Sequence, residues 1–258
     1  MKKVTAFVGT ARKEHTYYAV QRFLEGLQAP GGVESEIVTL TDYRVERCRG
    51  CKNCFRKGEE FCPFKDDRDE LMGKMLASDG VVFATPNYSY QVSSTMKAFL
   101  DRLGFVFHRP RFFGRTFTSI VAQGIYGGSK IVKYLDFVGM GLGFNVVKGS
   151  CTTALDPMNG TERSRIDAVA AEHSRRFHAG LCMKQYPVPS LLRVCAFRAA
   201  RTSMRVMLDE NSRDFTYYRD QGWFEADYYY PARLGILKKA AGALVDSFTA
   251  RMTSGRND

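Results

Sequence analysis

The chain has 258 residues, 45% hydrophobic and 25% charged, which suits one large α/β domain or a domain of about 150–200 residues with an appendage. No apolar run reaches the roughly eighteen residues that a membrane-spanning helix needs. The formal charge of +11 is spread along the chain, without a Lys/Arg-rich run or an aromatic-basic RNA motif. This argues against nucleic acid as a partner and leaves a basic surface that attracts anionic cofactors.

In chain order, residues 4–10, VTAFVGT, read as a buried strand. The apolar stretch Val4 to Ala11 then meets Arg12, Lys13 and Glu14, so it enters a loop and is not an export signal. Val20, Phe23, Leu24 and Leu27 follow at helix spacing. A strand is expected over 35–41, then a cysteine loop. A helix opens with KDDRDELMGKMLASDG, in which Asp66, Asp67, Asp69 and Glu70 complement its N-terminal end and Leu71, Met72, Met75 and Leu76 form the buried side. Further strands are expected over 80–86, 116–124 and 144–151. The helices between and after them are marked by Met96, Phe99, Leu100 and Leu103, by Ile131, Leu135, Val138 and Leu142, and by Ile166, Val169, Ala170 and Phe177. Five strands alternating with helices predict a doubly wound five-stranded parallel sheet. Ligands bind such sheets outside the carboxyl ends of the strands, so the loops after the first, third and fourth strands are the candidates.

The first of these, GTARKEHT, lacks G-x-G-x-x-G and the P-loop. Thr10, Arg12, Lys13 and Thr16, with the amides of a helix N-terminus, suit a single terminal phosphate; a solvated polar junction reads equally from the residues. In the second, TPNYSYQVSSTMKAFLDR, Pro86 fixes the exit from the strand. The backbone of Asn87, Tyr88 and Ser89 can meet the polar edge of a flat ring, and Tyr88 or Tyr90 can cover its face. Two half-exposed tyrosines on a turn, with Lys97, Asp101 and Arg102 on an exposed helix face, are the alternative. In the third, QGIYGGSK, Gly124, Gly127 and Gly128 allow close backbone approach and Tyr126 can flank the ring; otherwise this is a glycine turn.

The segment CRGCKNCFRKGEEFCP gathers four of the seven cysteines with spacing C-x2-C-x2-C-x7-C. Cytoplasmic thiols stay reduced, and the odd count also speaks against disulfides. Cys48, Cys51 and Cys54 can converge on one cubane, with Cys62 returning through a turn at Gly58. Zinc held by four thiolates and bare structural cysteines are the competing readings. Cys151, Cys182 and Cys195 are scattered and read as core residues.

Taken together, GTARKEHT, CRGCKNCFRKGEEFCPFKDD, ASDGVVFATPNYSYQVSSTMKAFLDR and GLGFNVV resemble the flavodoxin-like NADPH-dependent FMN reductases, and among them the iron–sulfur flavoproteins. The resemblance covers residues 4 to about 150. It implies FMN, with its phosphate at Thr10, Arg12 and Thr16 and its ring between Pro86–Ser89 and Gly124–Gly128. It also implies NADH or NADPH as electron donor, a homodimer or homotetramer, and one [4Fe–4S] cluster on Cys48, Cys51, Cys54 and Cys62. The chain departs from the family's frequent Gly-Ser-Pro-Arg: it reads Gly-Thr-Ala-Arg and is a residue shorter before Thr16.

YPVPS, 186–190, marks a boundary between a flavodoxin-like FMN-binding domain, 1–185, and a mainly helical C-terminal extension, 186–258. In the extension Leu192, Cys195, Ala199 and Val206 share one helix face and Arg198, Arg201 and Arg205 another. A cover on the core, a subunit arm and a membrane-surface helix are the readings. The acids that follow speak against the membrane, and the rings of Trp223, Phe224, Tyr228, Tyr229 and Tyr230 favour a subunit contact. The expected function is a cytoplasmic FMN-dependent NAD(P)H oxidoreductase passing electrons through the cluster or to a small acceptor. Hydride transfer needs no acid–base residue, and His15, His108, His173 and His178 form no triad or zinc motif. An FMN or quinone reductase without a cluster, or a flavodoxin-like electron carrier, are the alternatives; the basic charge and the extension favour the enzyme.

Overall fold

The computed structural model describes residues 1–183 and 186–254. It divides into two compact units, the first comprising Met1–Arg49 with 64–183 and the second Gly50–Pro63 with 186–254.

The first unit is an α/β fold around a parallel sheet. Its elements are β1 (Lys2–Val8), α1 (His15–Gln28), β2 (Val33–Thr39), α3 (Arg68–Leu76), β3 (Gly80–Pro86), α4 (Ser94–Arg102), α5 (Gly104–His108), β4 (Thr116–Gln123), α6 (Gly128–Leu142), β5 (Asn145–Val146), β6 (Ser150–Thr153) and α7 (Gly160–Leu181), with α2 (Asn53–Arg56) belonging to the second unit. The strand order is β2-β1-β3-β4, with β5 and β6 both pairing β4. This is the flavodoxin-like order. Strands of such a sheet are buried on both faces, and every residue of β3 is buried. Alternate residues Val4, Ala6 and Val8 of β1 pack with Phe23, Leu24 and Leu27 of α1 and Ile166 and Phe177 of α7. The intervening Phe7 meets Phe83, Phe99 and, through Phe83, Phe117, in a ladder of rings with centroids 5.1–6.0 Å apart. His173 of α7 is fully buried and bridges Thr118 Oγ1 (2.6 Å) and Ser150 Oγ (2.8 Å). Burial pushes its pKa down to about 3, so it links two strands as neutral imidazole.

Two expectations are corrected. The single strand over 144–151 is two short ones, because the chain turns in toward β4 at Gly149. The Gly149 N–H reaches the Asp136 carboxylate at 3.3 Å, and a Cβ there would stand 2.0 Å from Ser119 Oγ. The helix expected to open at Lys65 begins at Arg68, because Asp66 and Asp67 are engaged elsewhere. Asp67 accepts the Arg44 N–H at 2.7 Å, and Asp66 accepts the Glu46 N–H at 2.8 Å. Asp66 also pairs with Arg102 of α4, whose Nη2 lies 3.0 Å from Oδ1 and whose Nη1 bonds Oδ2 and, at 3.0 Å, the Glu46 carbonyl. Side chains of the pair are 2% and 1% exposed. Arg102 and Arg49 both lie 5.0 Å from the Phe64 ring centroid. The two chain segments that flank residues 50–63 are thus pinned to the end of α4.

The second unit contains α2, α8 (Leu191–Met207), α9 (Arg213–Asp220) and α10 (Ile236–Ser254). It has a core of its own. Trp223 lies 4.8–5.5 Å from Tyr217, Tyr218 and Tyr229, and Tyr229 lies 4.5 Å from Phe197. The Trp223 Nε1–H donates to the Tyr229 carbonyl at 3.1 Å. The rings expected to need a partner subunit therefore bury one another, and their area is no argument for a subunit contact. Two of the three arginines of α8, Arg198 and Arg201, point inward, while Arg205 is exposed. Arg198 bonds Asp227 and Asp246, and Arg201 bonds Asp246, at 2.6–2.7 Å. Leu192 is 79% exposed, while Val194 and Phe197 are buried, so the packed side of α8 is not the face shared by Leu192, Cys195, Ala199 and Val206. Among the described residues no helix is long and apolar enough to cross a membrane.

Candidate functional site

The carboxyl ends of β1, β3, β4 and β6 open onto a cavity of ≈ 450 Å³. Gly9 leaves β1 between two anchors: its N–H donates to the Ala84 carbonyl (2.8 Å), and its carbonyl accepts the Ser93 hydroxyl (2.6 Å). A Cβ on Gly9 would meet Ser93 Oγ at 2.7 Å, so this close approach requires glycine. Ser93 also caps α4 through the Met96 N–H (3.2 Å), which fixes the first loop to the helix that ends at Arg102. Thr10 Oγ1 accepts the Arg12 N–H at 3.2 Å. α1 then starts without a side-chain cap and without an acid in its first turn. Its first N–H groups and the positive end of its dipole are available to an anion. Thr10, Arg12, Lys13 and Thr16 all line this end of the cavity, Thr10 and Thr16 being buried.

Pro86, Asn87, Tyr88 and Gly124 line the other end; Ser89, Tyr126, Gly127 and Gly128 do not reach the cavity wall. These four serve the wall from behind. Asn87 Nδ2 donates to the Tyr126 carbonyl (2.9 Å), and the Tyr90 and Tyr126 hydroxyls bond at 2.7 Å, clasping the second loop to the third. Gly127 has φ +96°, and a Cβ there would meet the Tyr90 ring at 2.7 Å. Gly128 donates to Gln123 Oε1 at 2.6 Å. Asn87 Oδ1 is buried without a hydrogen-bond partner, which costs about 1–3 kcal/mol.

Tyr88 and Gln91 exchange both backbone hydrogen bonds (3.0 and 2.9 Å) around Ser89 and Tyr90, whose φ values are +50° and +62°. This is the two-residue turn that normally carries Asn-Gly, and side chains there cost about 1–2 kcal/mol each. Ser89→Gly is therefore expected to stabilise the protein by about 1 kcal/mol in denaturant unfolding. A loss of stability would show that the Ser89 side chain contributes more than its backbone strain costs.

A fourth loop, between β6 and α7, was not among the candidates. It brings Leu155 and Asp156 to the cavity, and Asp156 Oδ2 lies 2.6 Å from Arg12 Nη2, which also pairs with Glu14. His15 enters beside them, its Nε2 3.1 Å from Thr152 Oγ1, with burial pushing its pKa down against the smaller upward pull of Glu162. The split of the last strand hid where its carboxyl end lies, and no motif in the sequence marks Asp156.

Cys48 and Cys51 are exposed, Cys54 and Cys62 partly buried, and Gly58 turns the loop with φ +135°. Among the described residues no group of three or more His, Cys, Asp or Glu side chains is gathered to hold a metal ion.

A family model described as NADPH-dependent FMN reductase matches residues 2–155. The chain belongs to this family. The relatives it resembles include iron–sulfur flavoproteins. One from Archaeoglobus fulgidus is 34% identical over 128 residues, covering 46% of this chain and 57% of that protein. A second from the same organism is 28% identical over 162 residues, covering 60% and 79%. One from Methanocaldococcus jannaschii is 36% identical over 101 residues, covering 39% and 51%. The chain thus spans little more than half the length of the first and third. Among solved structures, an NAD(P)H:quinone oxidoreductase from Methanothermobacter marburgensis superposes with a TM-score of 0.53 at 17% identity over 67% of this chain and 96% of that one. RosB with bound 8-demethyl-8-formylriboflavin-5'-phosphate superposes with a TM-score of 0.56 at 14% identity over 92% of each chain. At these identities the two structures share the fold alone.

Proposed function

We propose that this member of the NADPH-dependent FMN reductase family is an FMN-dependent NAD(P)H oxidoreductase that works in the cytoplasm. The observation that carries this is the cavity with an uncapped helix start, Arg12 and Lys13 at one end and the unpartnered Asn87 Oδ1 at the other. That set fits a flavin monophosphate: Thr10, Arg12, Lys13, Thr16 and the first amides of α1 would hold the phosphate, and Asn87 with the neighbouring backbone the ring edge. When bound, FMN supplies acceptance of a hydride from the nicotinamide and release of electrons one or two at a time. The residues orient it and shield it from water on the side of Pro86 and Tyr88, and no side chain is needed as acid or base. Among the described residues no cysteine is disulfide-bonded, in keeping with a reducing compartment.

Two measurements test the reading. Cofactor released by heat is expected to chromatograph as FMN, because the first loop offers a monophosphate site and no pyrophosphate fingerprint; a dominant FAD peak overturns it. FMN-loaded protein is expected to oxidise NADH or NADPH in the steady state. Its failure to do so with either nicotinamide would leave a flavodoxin-like electron carrier.

The cysteine spacing and the iron–sulfur flavoprotein relatives support a second proposal, that Cys48, Cys51, Cys54 and Cys62 ligate one [4Fe–4S] cluster. Protein made without oxygen is expected to carry about four irons per chain, and Cys51→Ser to lose them while keeping FMN. If iron and sulfide reconstitution leaves only a flavin spectrum, the protein is a plain FMN reductase.

A further inference from the structure

We propose that Asp156 is a specificity-determining residue of the flavin site. It holds Arg12 away from an incoming phosphate monoester and so keeps FMN exchangeable. The inference rests on the reading that the loop after β1 takes the phosphate.

Asp156 is not placed by chance. On its N-terminal side the Ala154 N–H donates to the Gln123 carbonyl (3.1 Å), and the Leu155 N–H donates to Glu162 Oε1 (2.9 Å). On its C-terminal side Asn159 and Glu162 form a reciprocal cap on α7, with both bonds at 2.9 Å. The loop is thus tied to β4 and α7 on either side of the aspartate, and its carboxylate stands 2.6 Å from the Arg12 guanidinium. Glu14 shares the same guanidinium nitrogen. Arg12, Lys13 and Arg163 line the cavity with three positive charges and Glu14 and Asp156 with two negative ones, which leaves a net of only one positive charge for a monoester of about −1.5 to −2. An arriving phosphate either breaks the Arg12–Asp156 bridge or takes Arg12 through its other guanidinium N–H groups, and in both cases it stands beside the Asp156 carboxylate. Riboflavin, which lacks the phosphate, meets neither obstacle.

Asp156→Asn removes the competing charge with little change of shape. It is expected to tighten FMN binding about three- to tenfold, the combined weight of one exposed bridge and one exposed like-charge contact. FMN release should slow accordingly, riboflavin affinity should be unchanged, and the gain should shrink as salt is raised. Inorganic phosphate should compete with FMN more effectively in the variant than in the parent protein. Fluorescence-quenching titrations with FMN and riboflavin, run on Asp156→Asn, Asp156→Ala and Arg12→Ala, decide the matter. Arg12→Ala that leaves FMN affinity unchanged overturns the phosphate reading and this proposal with it. Arg12→Ala that weakens FMN while both Asp156 variants leave it unchanged or weaker overturns the role of Asp156 alone. A parallel shift of riboflavin in the Asp156 variants also overturns it, since the residue would then act on the ring or the fold.

Discussion

Asp66→Ala is expected to cost about 3–5 kcal/mol of unfolding free energy, the loss typical when one partner of a buried ion pair is removed. The Arg102 guanidinium is 2% exposed and would keep the Glu46 carbonyl while losing the carboxylate that neutralises it. Burial by itself raises the Asp66 pKa, but the hydrogen bond from Arg102, then the Glu46 amide and the Arg102 charge, outweigh it and leave the pKa lowered. A carboxylate whose pKa is lower folded than unfolded stabilises fully above the unfolded value. That contribution is lost as the pH falls through the folded one. The parent protein should therefore lose stability on acidification below the usual carboxylate range, and the variant should lose less. Urea unfolding at neutral and acid pH measures both effects; a cost below about 1 kcal/mol would place Asp66 among ordinary surface pairs. The double variant Asp66→Leu/Arg102→Met should be milder than the single one, since no charge is then left buried.

The second large effect is expected in FMN binding. Arg12→Ala should weaken it by roughly tenfold to a hundredfold, the span for a charge-assisted hydrogen bond to phosphate. The structure argues for the lower part of that span, because Glu14 and Asp156 already engage Arg12 Nη2 in the free protein and compete with the phosphate for it. Equilibrium dialysis or flavin fluorescence reads the change. High salt should narrow it, because these side chains are exposed to solvent.

Strands with continuous apolar runs and helices with an i, i+3, i+4, i+7 stripe were legible before the fold was seen. Val20, Phe23, Leu24 and Leu27 are all buried on α1, and so are Ile131, Leu135, Val138 and Leu142 on α6. What could not be read were side chains whose partners are remote in sequence. Arg102 reads as an exposed helix residue because its partner lies thirty-six positions away, and Asp66 reads as the start of a helix for the same reason. Arg198 and Arg201 look like a solvated basic face until α10 supplies Asp246 from more than forty positions on. In the site, periodicity placed the first three loops at the carboxyl ends of their strands, and each sends at least one residue to the cavity. It missed the fourth because the strand before it is only four residues long and follows a turn at Gly149. Burial of the aromatic tail was foreseen, but its destination was not: rings that cannot stay in water found one another inside the second unit.

The helix α4 carries an anchor at each end, Ser93 on the Gly9 carbonyl and Arg102 on Asp66. Over its nine residues it measures about 13 Å. This makes it a ruler between the flavin loop and the stem of the cysteine loop. One residue inserted in 94–102 would swing Arg102 by about 100° and break the stem, so the length of this helix is not open to drift. Residues 50–63 lie past the stem and belong to the second unit, where α2 packs with α9; what can be changed there is set by that packing and not by the length of α4.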